Sequence, residues 1–354
     1  MRLKLGDIAR EFKSTLKDTT DLPVVGLEHL DSGDIFLARW DENTEHTFTK
    51  GFKQGHILFG RRRAYLKKAV VAPFDGVCSG DITIIEAIPE KVDPELLPFI
   101  IQNDTLFDFA MSKSAGGLSP RVKWNDLKEF EIELPDLEKQ QELAELLWSM
   151  EYTKRAYRKL IAQTDELVKS QFIEMFGNPI AKEKDEALPR LGDVCVLKAG
   201  KFVKADSIKE KQEEGLFPCF GGNGLRGYVP SFNQDGEFPL IGRQGALCGN
   251  VQYAVGQFHA TEHAVVVTPK DEMDRFWLYH LLCLLDLNRY ASGAAQPGLA
   301  VNKLEAIRIE VPELKLQNQY SQFARQSDKS KFELQRALEE LTAMQKKIIN
   351  QNLS

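Results

Sequence analysis

The chain carries one pattern twice. Shifting the sequence by 177 residues lays Phe99 on Phe276, Gly116 on Gly293, Pro120 on Pro297, Asn125 on Asn302 and Leu127 on Leu304. The same shift lays Ile132 on Ile309, Glu133 on Glu310, Pro135 on Pro312, Leu137 on Leu314 and Gln140 on Gln317. Further upstream the offset grows, as it does when loops differ in length. Residues 58–64 (Leu-Phe-Gly-Arg-Arg-Arg-Ala) match 240–246 (Leu-Ile-Gly-Arg-Gln-Gly-Ala) at 182, and Leu5-Gly6-Asp7-Ile8 matches Leu191-Gly192-Asp193-Val194 at 186. A tandem copy restricts the fold to two like modules in one chain, which suits a function needing two like contacts held apart.

At 354 residues there is room for two or three domains with cores of their own. A hydrophobic fraction of 43% and a charged fraction of 28% are those of an ordinary globular protein. No run approaches the roughly 20 apolar residues of a bilayer span. Met1-Arg2-Leu3-Lys4 leads straight into the first repeat motif, so no signal peptide is expected and the cytoplasm is the expected location. Cys78, Cys195, Cys219, Cys248 and Cys283 are odd in number and lack metal-ligand spacing. Buried or half-buried thiols are the expectation, with neither metal nor disulfides.

The net charge of −6 argues mildly against nucleic acid, but binding depends on the local field. Residues 46–74 hold Lys50, Lys53, Arg61, Arg62, Arg63, Lys67 and Lys68 and no Asp or Glu, a stretch expected to be uncompensated. Such a segment is compatible with phosphate binding.

Residues 1–134 read as a mixed module. Short apolar runs at 22–27, 56–59, 69–72 and 81–87 predict strands, residues 94–111 a helix, 114–121 a Gly-containing loop and 129–134 a final strand. Residues 181–312 repeat the plan, with strands at 238–242 and 264–268, a helix at 273–290, a loop at 292–298 and a last strand at 306–311. Long helices follow each module, over 135–180 and 313–354. The first has Asp136 as N-cap and no Gly or Pro before Gly177, which suits a left-handed end, with Pro179 blocking continuation. Some 40 residues at about 1.5 Å each give a rod of roughly 60 Å. Leu146, Met150, Thr153, Tyr157, Leu160, Thr164 and Leu167 follow the spacing of a coiled-coil seam, and Phe323, Leu334, Leu338, Leu341 and Ile348 form a comparable stripe. Apolar stripes left in water are unfavourable, so the rods are expected to pair as an antiparallel coiled coil. Two separate helical hairpins or a dimer seam are the alternatives. The predicted class is α+β: two tandem mixed modules separated by two long helices.

Several stretches taken together are similar to a known family. They are Leu134-Pro135-Asp136-Leu137-Glu138-Lys139-Gln140-Gln141 at a helix entry and residues 169–177 (Lys-Ser-Gln-Phe-Ile-Glu-Met-Phe-Gly) at its end. The second module adds residues 221–228 (Gly-Gly-Asn-Gly-Leu-Arg-Gly-Tyr), 240–249 and 292–299. In this order and duplication they resemble the specificity subunit of type I DNA restriction–modification systems, over essentially the whole chain. The first module departs from the pattern: it lacks a Gly-Gly-Asn-Gly loop and has Arg-Arg-Arg where the second has Arg-Gln-Gly. The resemblance implies two target recognition domains, each reading half of a split site in double-stranded DNA. It implies helices that act as a ruler and dock two methyltransferase subunits, and restriction/motor subunits that join for cleavage. The chain itself would be non-catalytic and bind no cofactor, with S-adenosylmethionine, ATP and Mg on the partner subunits.

Candidate contacts follow. Arg61 and Arg243 hold the same place in the repeat. Each is either a guanine or phosphate contact, or a structural arginine tying a strand end to a carboxylate. Arg62, Arg63, Lys67 and Lys68 occur only in the first module and are candidates for its DNA face, against a solvated surface. Asn223 and Arg226 suit adenine and guanine edges, with Tyr228 at the end of the same stretch. Lys113, Arg121 and Lys123, and in the second module Lys201 with Lys198 and Lys204, are candidate phosphate contacts, each equally readable as plain surface.

Residues 220–224 (Phe-Gly-Gly-Asn-Gly) fit the Phe-x-Gly-x-Gly pattern of S-adenosylmethionine loops. No Asn-Pro-Pro-Tyr or Asp-Pro-Pro-Tyr motif accompanies them, so a methyltransferase is rejected. The sequence has no Gly-x-Ser-x-Gly, Walker or His-Glu-x-x-His motif either. A non-catalytic DNA-recognition subunit is therefore expected. The rival readings are a specificity subunit of another restriction–modification architecture and a twin-module protein-binding scaffold.

Overall fold

The computed structural model describes residues 2–42, 44–115, 119–245, 247–293 and 297–353. The repeat members Gly116 and Ala246, and the stretch 294–296, lie outside the described residues. The chain forms two compact units, Met1–Arg158 with Arg336–Ser354, and Lys159–Gln335. Each unit thus owns one module and a portion of both long helices.

In the first unit Ala9–Glu11, Ile82–Ala87, Ile57–Gly60 and Ala69–Val71 form, in that order, an antiparallel sheet. Its inner strands are buried on both faces, which is why they read as continuous apolar runs. Ile57, Phe59 and Ile85 enter one core with the helices, while the alternate residues Leu58, Ile82 and Ile84 enter a second with Val25, Phe52 and Cys78. That second core is roofed by a sheet of Val24–Val25, Gly76–Cys78 and Lys50–Phe52.

The second unit repeats this sheet order in Cys195–Ala199, Ala264–Pro269, Gln234–Gly242 and Val251–Ala260, extended by Phe217–Gly221 and Gly224–Val229. Ile241 and Val265 face the core shared with the helices, and Leu240 and Val266 face the other.

Three expectations are corrected. The helix expected over 94–111 is two, Leu97–Ile101 and Asp104–Lys113. Asn103 breaks it by capping the second, accepting from the Thr105 amide at 3.1 Å, while its own amide group donates to the Leu353 carbonyl. The helix expected over 273–290 ends at Leu284, and a separate short turn, Leu287–Tyr290, follows. The strand expected at 306–311 is only a bridge between Arg190 and Arg308, although its counterpart Glu131–Glu133 pairs fully with Arg2–Lys4. Pro189 stands where the first unit has Leu3. Its carbonyl accepts from the Ile309 amide at 3.0 Å, but it has no N–H to return the bond.

The long helices run over Leu137–Phe176 and Leu314–Asn352. Asp136 caps the first by accepting from the Lys139 amide at 3.0 Å. In the first unit the two pack against each other: Leu143, Leu147 and Met150 share a core with Leu341, Ile348 and Leu353. In the second, Phe172 meets Tyr320 edge-on at 5.1 Å and Lys331 pairs with Asp165 at 2.7 Å. The seam lies one residue from the one expected at two places. Leu146 and Leu167 are about half exposed, and Leu147 and Val168 are buried instead. Leu160 is also exposed. The buried stripe includes Glu151 and Lys154, which a search for apolar spacing passes over.

Candidate nucleic-acid interface

In each unit an inner strand of the main sheet runs out into the same scaffold. After Ile57–Gly60, the Arg61 amide donates to the Asp81 carbonyl at 3.0 Å, and the Arg61 carbonyl accepts from Val122 at 3.0 Å. Arg63 donates to the Pro120 carbonyl at 2.9 Å. After Gln234–Gly242, the Arg243 amide donates to the His263 carbonyl at 3.0 Å, and its carbonyl accepts from Leu299 at 2.9 Å. Gly245 donates to the Pro297 carbonyl at 3.0 Å. Ala115 and Arg121 exchange a pair of backbone bonds, as Ser292 and Gly298 do. These partners are related by the offsets 182 and 177, so the repeat is one backbone frame built twice.

At the crown of the frame is a single tight turn. In the first unit it is the 3₁₀ turn Ala64–Leu66, with Leu66 donating to the Arg63 carbonyl at 2.9 Å. In the second, Cys248 donates to the Gly245 carbonyl at 3.0 Å. The turn needs left-handed backbone at both ends. Gly245 and Gly249 supply it with φ of 84° and 88°; Arg63 and Lys67 adopt it with φ of 55° and 49°. For residues with a Cβ this conformation costs on the order of 1 kcal/mol each. Glycine at 249 is also required sterically, since a Cβ there would lie 2.4 Å from the Asn288 amide nitrogen.

Around the first crown the cations are mostly paired, which corrects the expectation of an uncompensated stretch. Asp81 accepts from Arg121 at 2.7 and 3.3 Å and from Arg62 at 3.5 Å, and Arg62 also donates to the Ser119 hydroxyl. The Arg121 hydrogen bond holds the Asp81 carboxyl below its ordinary range. Lys67 donates to Asp104 at 2.6 Å, lowering that carboxyl too, and Lys68 donates to the Leu27 carbonyl at 2.8 Å. Lys50 and Lys53 are likewise engaged, with the Ile82 carbonyl and Asp75. Arg63 is exposed, and among the described residues its side chain has no partner. Lys113 and Lys123 are exposed; the Lys113 ammonium stands 5.5 Å from the Phe109 ring centroid.

In the second unit the stretch 221–228, expected as a loop, is a hairpin of Phe217–Gly221 and Gly224–Val229 turning at Gly222 and Asn223. Its turn brings Asn223, Leu225 and Arg226 beside Gln244 and His263, and together they line an open groove of about 530 Å³. Asn223 accepts from the Asn250 side chain at 2.8 Å and also lines an adjoining hollow with Leu247, Asn250 and Asn288. Tyr228 is half-buried in the hairpin, its backbone bonded to Lys209 in both directions, and Lys201 is exposed with its amide on the Ala260 carbonyl. Neither lines the groove.

Arg61 Nε and Arg243 Nε are buried without a hydrogen-bond partner among the described residues, as are Glu262 Oε2 and His263 Nδ1. Among the described residues neither arginine side chain is paired with a carboxylate. Buried polar atoms are rarely left unpaired, and one of these residues, His263, lines the groove of the second unit. Asp81, Gln244 and His263 were not singled out in the sequence. Gln244 falls opposite Arg62, and His263 opposite Asp81, at the offset of 182, which is the signal that finds them. Cys78, Cys195, Cys219 and Cys248 are buried free thiols and Cys283 lies at the surface. Among the described residues no helix is long and apolar enough to cross a membrane.

Two like frames with unlike crowns, each on its own sheet, define a tandem-domain protein in which one design is built twice. The type I restriction modification DNA specificity domain matches residues 3–163 and again 184–343, and the chain belongs to that family. It is 52% identical over 128 residues to the type I restriction enzyme EcoprrI specificity subunit of Escherichia coli, covering 36% of this chain and 32% of that one. It is 32% identical over 108 residues to a putative type I restriction enzyme specificity subunit, S.HindORF215P, of Haemophilus influenzae, covering 30% and 28%. The matched stretches thus span about a third or less of these relatives. The fold is similar to that of the S subunit of a type-I restriction-modification system from M. genitalium, with a TM-score of 0.67 at 16% identity over 99% of this chain and 94% of that one. A chain from a structure on complex assembly and conformational transition of the type I R-M system matches with a TM-score of 0.56 at 20% identity, over 99% and 97%.

Proposed function

We propose that this chain is the DNA sequence-specificity subunit of a type I restriction–modification complex and recognises a bipartite, asymmetric duplex target. Each unit reads one half. The observation that carries this reading is the pair of identical backbone frames bearing different side chains. The first crown presents Arg62 and Arg63 where the second presents Gln244 and Gly245, and Asp81 faces the first where His263 faces the second. A constant frame with variable side chains suits two readers of different base pairs.

Arg63 serves as a phosphate contact at the first crown, with Arg61, Arg62, Lys67, Lys68, Lys113, Arg121 and Lys123 supplying a cationic surround. Asn223, Arg226 and Gln244 read base edges in the second unit, where Lys201 and Arg243 favour the backbone. The chain has no chemistry of its own. Two methyltransferase subunits dock on the long helices and carry S-adenosylmethionine; restriction/motor subunits carry ATP and Mg.

Sequencing the modified bases in cells that express this chain with its methyltransferase tests the proposal. Methylation at one split, non-palindromic motif is expected. Methylation that is absent, or confined to a continuous motif, would refute it.

A further inference from the structure

The crowns share a feature that charge does not explain. Tyr65 is 53% exposed and Leu247 is 57% exposed. They occupy the same position at the offset of 182, in the middle of the tight turn between the two left-handed residues. Single exposed apolar side chains are commonplace and mean little. Here the same place on the same turn is apolar and exposed in both units. The first unit accepts left-handed backbone at Arg63 and Lys67 to build that turn. Each tip also stands beside polar recognition chemistry. Tyr65 lies between Arg63 and Lys67, and Leu247 shares the hollow with Asn223, Asn250 and Asn288. The two tips differ in chemistry while their frames agree.

We infer that Tyr65 and Leu247 are specificity-determining apolar contacts, one per unit, each pressing on a base edge in the major groove. A thymine methyl is the fitting partner. The inference rests on the DNA-reading function proposed above and adds residues outside its polar set. An apolar tip carries no charge to a phosphate, so it changes which base pair is accepted without changing how many counterions are released.

The test uses the full chain in its methyltransferase complex, with Tyr65→Ala, Tyr65→Phe and Leu247→Ala. Tyr65→Ala should relax the methylated motif at one base pair of one half only, with discrimination there falling roughly tenfold or more. Leu247→Ala should do the same in the other half. Affinity for random duplex and the slope of affinity against salt should stay at parental values, as should the Tm. Tyr65→Phe, which keeps the ring, should preserve the motif. A motif unchanged by both alanine variants overturns the inference, as does relaxation in Tyr65→Phe or a loss of affinity equal for cognate and random duplex. If the parental complex itself methylates no defined sequence, the underlying reading fails and takes this one with it.

Discussion

Arg63 holds a backbone conformation that its counterpart, Gly245, holds without strain. Arg63→Gly should therefore leave the first unit at least as stable, the relief of left-handed strain offsetting the freedom glycine gains on unfolding, each about 1 kcal/mol. The same variant should weaken duplex binding and reduce the log–log salt slope by about one, the signature of a lost phosphate contact. Thermal unfolding and binding titrations at several salt concentrations measure both. His280 makes a pH prediction. Its ring stands edge-on to Phe276, Tyr279 and Tyr320, and burial, helped by Lys331 and Arg325, pushes its pKa down from 6.5 to about 4. The unfolded chain then binds the extra proton first, so stability is unaffected by this group above pH 6.5. It falls as the pH drops from 6.5 to about 4, by about 3 kcal/mol in all. Denaturant unfolding across that range should show the loss, and His280→Phe should remove most of it.

At the scale of elements, the repeated glutamine explains why the helix entries match so closely. Gln140 is buried, accepts from the Asp93 amide at 3.0 Å and donates to the Pro135 carbonyl at 2.9 Å. Gln317 does the same with Asp274 at 2.9 Å and Pro312 at 2.7 Å. Each ties the start of a long helix to the module it follows. Replacing either with Leu strands two half-buried polar groups and should cost about 1–3 kcal/mol in its own unit, measured by urea unfolding. Between the helices of the first unit lies a buried polar trio: Lys154 donates to Glu151 at 2.7 Å and to Gln345 at 2.8 Å, and Gln345 donates to Glu151 at 2.9 Å. Lys154→Met alone leaves Glu151 buried without its cation and should destabilise by about 3–5 kcal/mol. Replacing all three with Met or Leu should be near neutral. If the single and the triple variant lose equally, the charge argument fails.

For the whole molecule, both units contain part of each long helix, so a change in helix length tests the spacer role directly. Four residues inserted at Tyr157, about 6 Å of helix, should change the number of unread base pairs between the two halves of the methylated motif. An unaltered gap would exclude the helices as the ruler. The repeat, the cap at Asp136 and the stop before Gly177 were all legible along the chain, because each depends on near neighbours or on copied spacing. The pairing of Arg121 with Asp81 across 40 positions was not legible, nor was the placing of His263 beside Gln244 and Asn223.

Sequence alone determined that there are two modules of one design and that their recognition surfaces differ, since identity and divergence are both visible at a fixed offset. Only the tertiary structure decided which cations are free, which helix face is buried, and that a strained arginine and a relaxed glycine do the same backbone work. Those outcomes depend on partners distant in sequence, where packing and hydrogen bonding override local propensity.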